Sequence, residues 1–280
     1  MLLFGLSAVI TSFAMTDYRS YSLDGFPALD PALQQRVEAI DASLRARWEI
    51  PEAQTSVGVF DLRTLRLAMV RPDRIDYAAS VPKIAILLAW FAAHPNPADL
   101  DAATRHELGL MIKQSDNELA AKFSQQLGLS FIRGVLDRYA LYDAKTGGGI
   151  WLGKHYGKGG ERIVDPVGGH SHAATVRQLL RFYLLLEQDK AVSPEASAAM
   201  REIFRSPDIP HKPDKFVAGL EGRLGLEIRR KAGWWEDWNL DTAVVTGPAR
   251  HYILVAMTHH ARGEDYLRAL AAAVDDALAR

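Results

Sequence analysis

The sequence predicts an α+β fold in which an antiparallel sheet is assembled from both ends of the chain around a helical insertion. Three observations point to it: a hairpin-like pair of apolar runs early in the chain, a long stretch of helical periodicity, and three β-like runs before a closing helix. The composition suits such a body. With 280 residues, 48% hydrophobic and 24% charged, the chain can form one large domain or two interleaved ones and is not a disordered polymer.

Residues 1–14, MLLFGLSAVITSFA, hold a short apolar core ending in Ser12-Phe13-Ala14, with small residues where a signal peptidase cuts. No basic residue precedes that core, so a cleaved secretory signal and a packed N-terminal segment both stay open. The first makes the protein periplasmic or secreted; otherwise it is cytoplasmic. The segment is too short and interrupted for a membrane span, and no later stretch offers the roughly 18 uninterrupted apolar residues that a span needs.

Asp30 to Trp48 has the spacing of an amphipathic helix. Thr55 to Phe60 and Leu65 to Val70 flank an Asp-Leu-Arg-Thr turn and read as a hairpin. From Ser80 to about Glu187 the pattern is helical, broken by the Gly/His-rich segment Lys145 to His172. Gly225 to Lys231, Thr242 to Val245 and Tyr252 to Met257 are β-like, the last two joined by a turn at Thr246-Gly247-Pro248-Ala249. Glu264 to Arg280 closes the chain as a helix. These elements divide the body into an α/β domain, residues 27–75 plus 212–280, and an all-helical domain, residues 76–211, with an active site expected between the two.

Charge and cysteine content exclude several functions. Thirty-three basic and 34 acidic residues leave a net charge of -1, so nothing favours nucleic acid or an anionic membrane. With no cysteine the chain has no disulfide, no thiolate metal site and no cysteine nucleophile.

Ser80-Val81-Pro82-Lys83 opens an apolar helical stretch, Pro82 to Ala93, in which Lys83 is the sole charge. Three positions apart on a helix, hydroxyl and amine share a face. Desolvation disfavours the ammonium form, so Lys83 is suited to take a proton from Ser80, the arrangement of an activated serine nucleophile. Ser115-Asp116-Asn117 follows at the join of two helical stretches, Ala102 to Gln114 and Glu118 to Leu127. It fits a Ser-x-x-Glu capping box as well as a proton relay through Ser115 with a substrate amide contact from Asn117. Lys231-Ala232-Gly233 stands at the end of a predicted strand, where a glycine permits close approach of another backbone. Its rival, Lys145-Thr146-Gly147, has no β-like run before it and reads as a turn.

In this order the three motifs resemble those of the penicillin-recognising serine enzymes, class A β-lactamases in particular. The resemblance covers roughly Asp30 to Arg280 and implies the three-layer β-lactamase/transpeptidase-like fold, with a five-stranded sheet. It implies an acyl-enzyme hydrolase with Ser80 as nucleophile, Lys83 as its proton partner, and catalytic Ser115 and Lys231. Asn117 and Gly233 would contact substrate, and the oxyanion hole would be the backbone N–H groups of Ser80 and Trp234, each worth on the order of 3 kcal/mol in the transition state. A β-lactam, a cell-wall peptide or an ester is the implied substrate, with no metal or organic cofactor. A penicillin-binding DD-peptidase and a non-turnover penicillin sensor are the alternatives.

Three departures stand out. Ser80 and Ser115 lie closer in sequence than in class A enzymes, Ala232 lacks the usual hydroxyl between lysine and glycine, and no Glu-x-x-Leu-Asn follows Asp143 to hold a deacylating water. A substitute base is sought among His155, Glu161, Asp165, His170 and His172, with Glu161 first as a carboxylate. His170-Ser171-His172 offers two ligands without a third, so zinc is not expected. Trp234, Trp235 and Trp238 either line the mouth of the site or bury against a neighbouring helix.

Overall fold

Pro31–Trp48 forms α1, started by the Asp30 carboxylate, which accepts the Leu33 N–H, and by a proline in the first turn. In the computed structural model, which describes residues 17–25 and 27–279, the hairpin β1 (Thr55–Asp61) and β2 (Arg66–Val70) follows, then a short β3 (Asp76–Tyr77). The question of a signal at residues 1–14 lies outside the described residues. Next come the helices α2 (Lys83–Ala93), α3 (Ala102–Lys113), α4 (Asn117–Leu127) and α5 (Leu129–Arg138). A segment of short strands carries β4 (Tyr142–Asp143), β5 (Gly148–Gly149), β6 (Trp151–Leu152) and β7 (His172–Ala174). The chain then forms α6 (Val176–Glu187), α7 (Pro194–Arg205), α8 (Lys215–Gly219), β8 (Glu227–Trp235), β9 (Trp238–Gly247), β10 (Arg250–His259) and α9 (Gly263–Leu278).

The large sheet is antiparallel throughout, in the order β2-β1-β10-β9-β8. The N-terminal hairpin therefore joins the C-terminal strands through β1 and β10, with Thr55 opposite Thr258 and Asp61 opposite Tyr252. Both faces are covered, which is why the strands read as apolar runs rather than strict alternation. Val57, Val59, Leu254 and Val245 pack with α1, α8 and α9, whereas Phe60, Ile253, Val255 and Val244 pack with the helices of the insertion. Gly58 admits α6 to that second face: a Cβ there would come within 2.5 Å of Val176.

α2 is apolar on every side because it is surrounded, with Lys83 through Phe91 all buried. Helical elements dominate the insertion, as expected, but it also carries two small sheets, β3-β7-β6 and β4-β5. Strands of two or three residues are too short for a period of two to register, and the Gly/His-rich segment hides them. α7 goes beyond the sequence reading too, although Ser193 caps it and Pro194 opens it. No helix among the described residues is long and apolar enough to cross a membrane.

Candidate active site

Ser80 sits in the turn between β3 and α2. That turn is held from below by the Ala78 N–H, which donates to the His172 carbonyl at 2.8 Å, and closes on itself through Val81 N–H to Ala78 O at 2.9 Å. Ala79 adopts a φ of 46°, a left-handed conformation unusual for a residue with a side chain. Ser80 is thereby presented, half-buried, in a cavity of about 390 Å³ with Tyr77, Asn117, Tyr156, His172 and Trp234 in its lining.

Lys83, the first residue of α2, is fully buried, and its Nζ donates to the Ser115 carbonyl at 2.6 Å and to Asn117 Oδ1 at 2.7 Å. Ser115 Oγ lies 3.2 Å away, and the Tyr156 ring centroid 4.5 Å away. Burial pushes the Lys83 pKa down to about 7; Asp116 opposes the shift and Lys212 adds to it. A neutral amine has two N–H donors and one lone pair. The two carbonyl-type oxygens take the donors, and the lone pair is left for a hydroxyl.

Ser115 lies between α3 and α4 with a φ of 61°. The capping-box reading does not hold, because Asp116 caps α4 instead, accepting the Leu119 N–H at 2.9 Å. The Ser115 hydroxyl is thus left to the lysines. Lys231, buried in β8, donates from Nζ to Ser115 Oγ at 2.9 Å and to the Ala232 carbonyl at 2.7 Å. Burial holds the Lys231 pKa well below the usual lysine range, and the charges of Lys83 and Arg230 push it further down. Its strand is anchored next door, where Arg230 pairs with Asp214 and with the buried Asp241.

β8 is an edge strand and runs on to Trp235, so Lys231 and Gly233 lie inside a strand rather than at its end. Gly233 faces the nucleophile turn, and Trp234 follows it on the strand. Lys145, the rival lysine, is exposed on a single helical turn, and Gly147 after it has a φ of 97°. The tryptophans divide: Trp234 and Trp235 are 62% and 55% exposed at the cavity mouth, while Trp238 is half-buried and stacks on His259 at 3.8 Å.

The five candidates for a deacylation base separate by position. Glu161 is exposed and is not in the lining of the Ser80 cavity. The Asp165 carboxylate accepts the N–H groups of Val167, Gly168 and His170 and is committed to its own loop. His155 reaches the cavity but its Nδ1 is 2.8 Å from Ser124 Oγ. His170 belongs to an adjoining cavity of about 360 Å³ with Lys154, Arg162 and Trp238. His172 lines the Ser80 cavity, and burial pushes its pKa down to about 4.

Sequence reasoning missed Tyr156, whose hydroxyl donates to the Ala79 carbonyl at 3.0 Å while its ring covers Lys83. A lone tyrosine in a glycine-rich segment gives no signal. It also missed Lys154 and Lys158, which supply positive charge to the cavity lining.

Residues 95–278 match the beta-lactamase enzyme family. No curated protein matches the chain by sequence. Among solved structures, a beta-lactamase from Sphaerobacter thermophilus is 18% identical with a TM-score of 0.69, over 87% of this chain and 97% of that one. A class A beta-lactamase from Mycobacterium abscessus is 16% identical with a TM-score of 0.65, over 88% of this chain and 100% of that one. A variant of PBP-A, solved as an acyl-enzyme complex with penicillin G, is 18% identical with a TM-score of 0.67, over 88% of this chain and 96% of that one. At these identities the likeness is one of fold.

Proposed function

The chain belongs to the beta-lactamase enzyme family and is a serine hydrolase of the β-lactamase-like fold, and on that premise we propose that Ser80 is acylated by a β-lactam or a related amide or ester. The observation that carries the reading is the pair of buried lysines sharing one hydroxyl, Lys231 at 2.9 Å and Lys83 at 3.2 Å from Ser115 Oγ. Two buried ammonium groups around one oxygen repel each other, so a neutral Lys83 is favoured and a proton acceptor stands one helical turn from Ser80.

In the proposed reaction the Ser80 hydroxyl gives its proton to Lys83 as its oxygen attacks the carbonyl carbon. The developing oxyanion is received by the backbone N–H groups of Ser80 and Trp234. Ser115 passes a proton to the departing nitrogen or oxygen and is resupplied from Lys83, while Lys231 holds the relay hydroxyl in place. Asn117 and the edge of β8 at Gly233 hold the substrate between them. Ala232 removes one hydroxyl from carboxylate recognition, and Lys154 and Lys158 in the lining compensate by favouring anionic substrates. The penicillin G acyl-enzyme of the PBP-A variant supports a lactam as acyl donor. The signal-like residues 1–14 support a periplasmic or secreted location.

Intact-mass spectrometry over time, with a penicillin and separately with an activated ester, tests the reading. An adduct that maps to Ser80 and is lost in Ser80→Ala is expected. An adduct forming at the same rate in Ser80→Ala removes the nucleophile assignment.

A further inference from the structure

Two cavities meet beside the nucleophile. The one that holds Ser80 shares Tyr77, Lys154, Ser171 and Trp235 with the adjoining cavity of about 360 Å³. Acyl transfer as described above takes place in the first, and the second is left without an occupant.

Strand β8 fixes the direction in which the second cavity lies. Lys231 holds the hydroxyl of Ser115, the group proposed to protonate the departing atom, Gly233 meets the Ser80 turn, and Trp235 lines the second cavity. At a rise of about 3.4 Å per residue, Trp235 stands about 7 Å beyond Gly233 along the strand, on the side away from Ser115. A substrate laid along this edge directs its leaving group toward Lys231 and its acyl substituent into the second cavity.

The walls of that cavity are aromatic and preformed. Trp238 stacks on His259 at 3.8 Å, and the rings of Trp238, Tyr77 and His170 stand 6.0 to 6.2 Å from one another. Trp235 is the register partner of Trp238 across the β8-β9 turn. Lys154 and Arg162 add two positive charges to the lining, and neither side chain is paired with a carboxylate among the described residues. Glu236 is the one carboxylate in the lining, and it and Arg162 act with opposite sign on the Tyr77 hydroxyl. Asp76, whose carboxylate feels His170, is taken up by Arg74 Nε at 2.9 Å. Positive charge is therefore in excess before His170 is counted, in a cavity whose rings can pack against a carbon chain.

We propose that the second cavity is an acyl-side subsite for an anionic group, so that the preferred substrates of Ser80 are amides or esters whose acyl portion carries a carboxylate about 7 Å from the reacting carbonyl. The proposal rests on the acyl-enzyme reading above. Lys154 and Arg162 attract the carboxylate, the aromatic walls hold the chain that leads to it, and Glu236 works against both cations. Because the group belongs to the acyl portion, it stays in place after the leaving group has gone.

The test uses two esters that differ only at the far end of the acyl chain, mono-p-nitrophenyl adipate with a carboxylate and p-nitrophenyl hexanoate with a methyl group. In the parent, kcat/KM is expected to favour the adipate at least about fivefold at low salt, each exposed cation supplying about two- to fivefold, and the preference should shrink in 1 M NaCl. Arg162→Ala should lower the preference about two- to fivefold, Arg162→Glu should reverse it, and Glu236→Gln should raise it. Arg162 is exposed, so these changes spare the core. A third ester, 4-nitro-3-hexanoyloxybenzoate, carries its carboxylate on the leaving group, and its preference over the hexanoate should respond to Arg162→Ala far less than that of the adipate. A parent that treats adipate and hexanoate alike within about twofold overturns the proposal, as does a preference that survives Arg162→Glu. If Arg162→Ala costs both anionic esters equally, the cations attract anions generally and the acyl-side subsite is overturned. Intact mass separates these failures from another: no Ser80 adduct with any of the esters defeats the acyl-enzyme reading itself, and the subsite falls with it.

Discussion

A Cβ on Gly233 would come within 3.2 Å of the Ser80 nitrogen and 2.8 Å of the Ala78 carbonyl oxygen, so β8 meets the nucleophile turn backbone to backbone. Backbone cannot yield as a flexible side chain does. Gly233→Ala must therefore push the strand edge away from Ser80 and widen the space in which a substrate carbonyl would be held. Misplacement by about 1 Å costs on the order of 100-fold in rate. Acylation should fall by that order while the circular dichroism of the fold is retained, and an acylation rate near that of the parent would show that the contact has no part in catalysis.

The pH dependence of acylation should report Lys83. Its pKa is pushed down to about 7, so the first half-reaction should rise with pH through about 7 and level off above it. Lys83→Ala should be slow and flat. A burst rate independent of pH between 5 and 9 in the parent would remove Lys83 from the proton path.

The same group ties stability to pH. In the folded protein Lys83 loses its proton near 7, whereas the unfolded side chain keeps it to about 10.5, so the folded state binds fewer protons across that window. Stability attributable to this group must then rise as pH increases from 7 toward 10. Urea unfolding at pH 7 and pH 9 should show a gain in the parent that is smaller in Lys83→Met. An equal gain in both would place the pH dependence elsewhere.

The two Lys-x-Gly sequences make opposite predictions. Lys231→Ala removes a buried donor to the Ser115 hydroxyl and should slow acylation at least about tenfold, about 1.4 kcal/mol of transition-state stabilisation. Lys145→Ala, on an exposed turn, should leave the rate close to that of the parent. Stopped-flow bursts for the two variants side by side decide between them.

Lys154 should tune substrate choice rather than chemistry. As a partly exposed charge in the cavity lining, it is worth no more than about 1 kcal/mol toward an anionic group. Lys154→Ala should raise KM for a carboxylate-bearing lactam by about two- to fivefold, less so in high salt, and affect a neutral ester less. Equal changes for both substrates would argue against an electrostatic role.

The large sheet is legible in the sequence because long runs such as Tyr252 to Met257 carry enough apolar residues to register. α1 and α9 are legible from helical spacing. The short strands β3, β6 and β7 are not, since their positions are set by contacts across the chain, Tyr77 with Ala173 and Leu152 with His172, rather than by local pattern. The same holds within the site. Ser80, Lys83, Ser115 and Lys231 stand out as residue types at telling intervals, and hydrogen bonds join Lys83, Ser115 and Lys231 in the structure, with Ser80 one turn before Lys83. Tyr156 does not stand out, because its significance comes from what it faces, the buried amine of Lys83.

Ala79 and Ser115 both hold left-handed backbone, at φ of 46° and 61°, and Lys83 and Lys231 are both buried cations in waiting. Each of these runs against the intrinsic preference of the residue, with strained backbone alone costing about 1–3 kcal/mol per position. The rest of the molecule has to be stable enough to carry them. Laboratory evolution for heat resistance alone would find easy improvements at these positions, glycine at 79 and apolar side chains at 83 and 231, and each would erode the acyl-transfer chemistry. Thermal tolerance and turnover are therefore opposed at the same three residues, and a screen that selects for one must monitor the other.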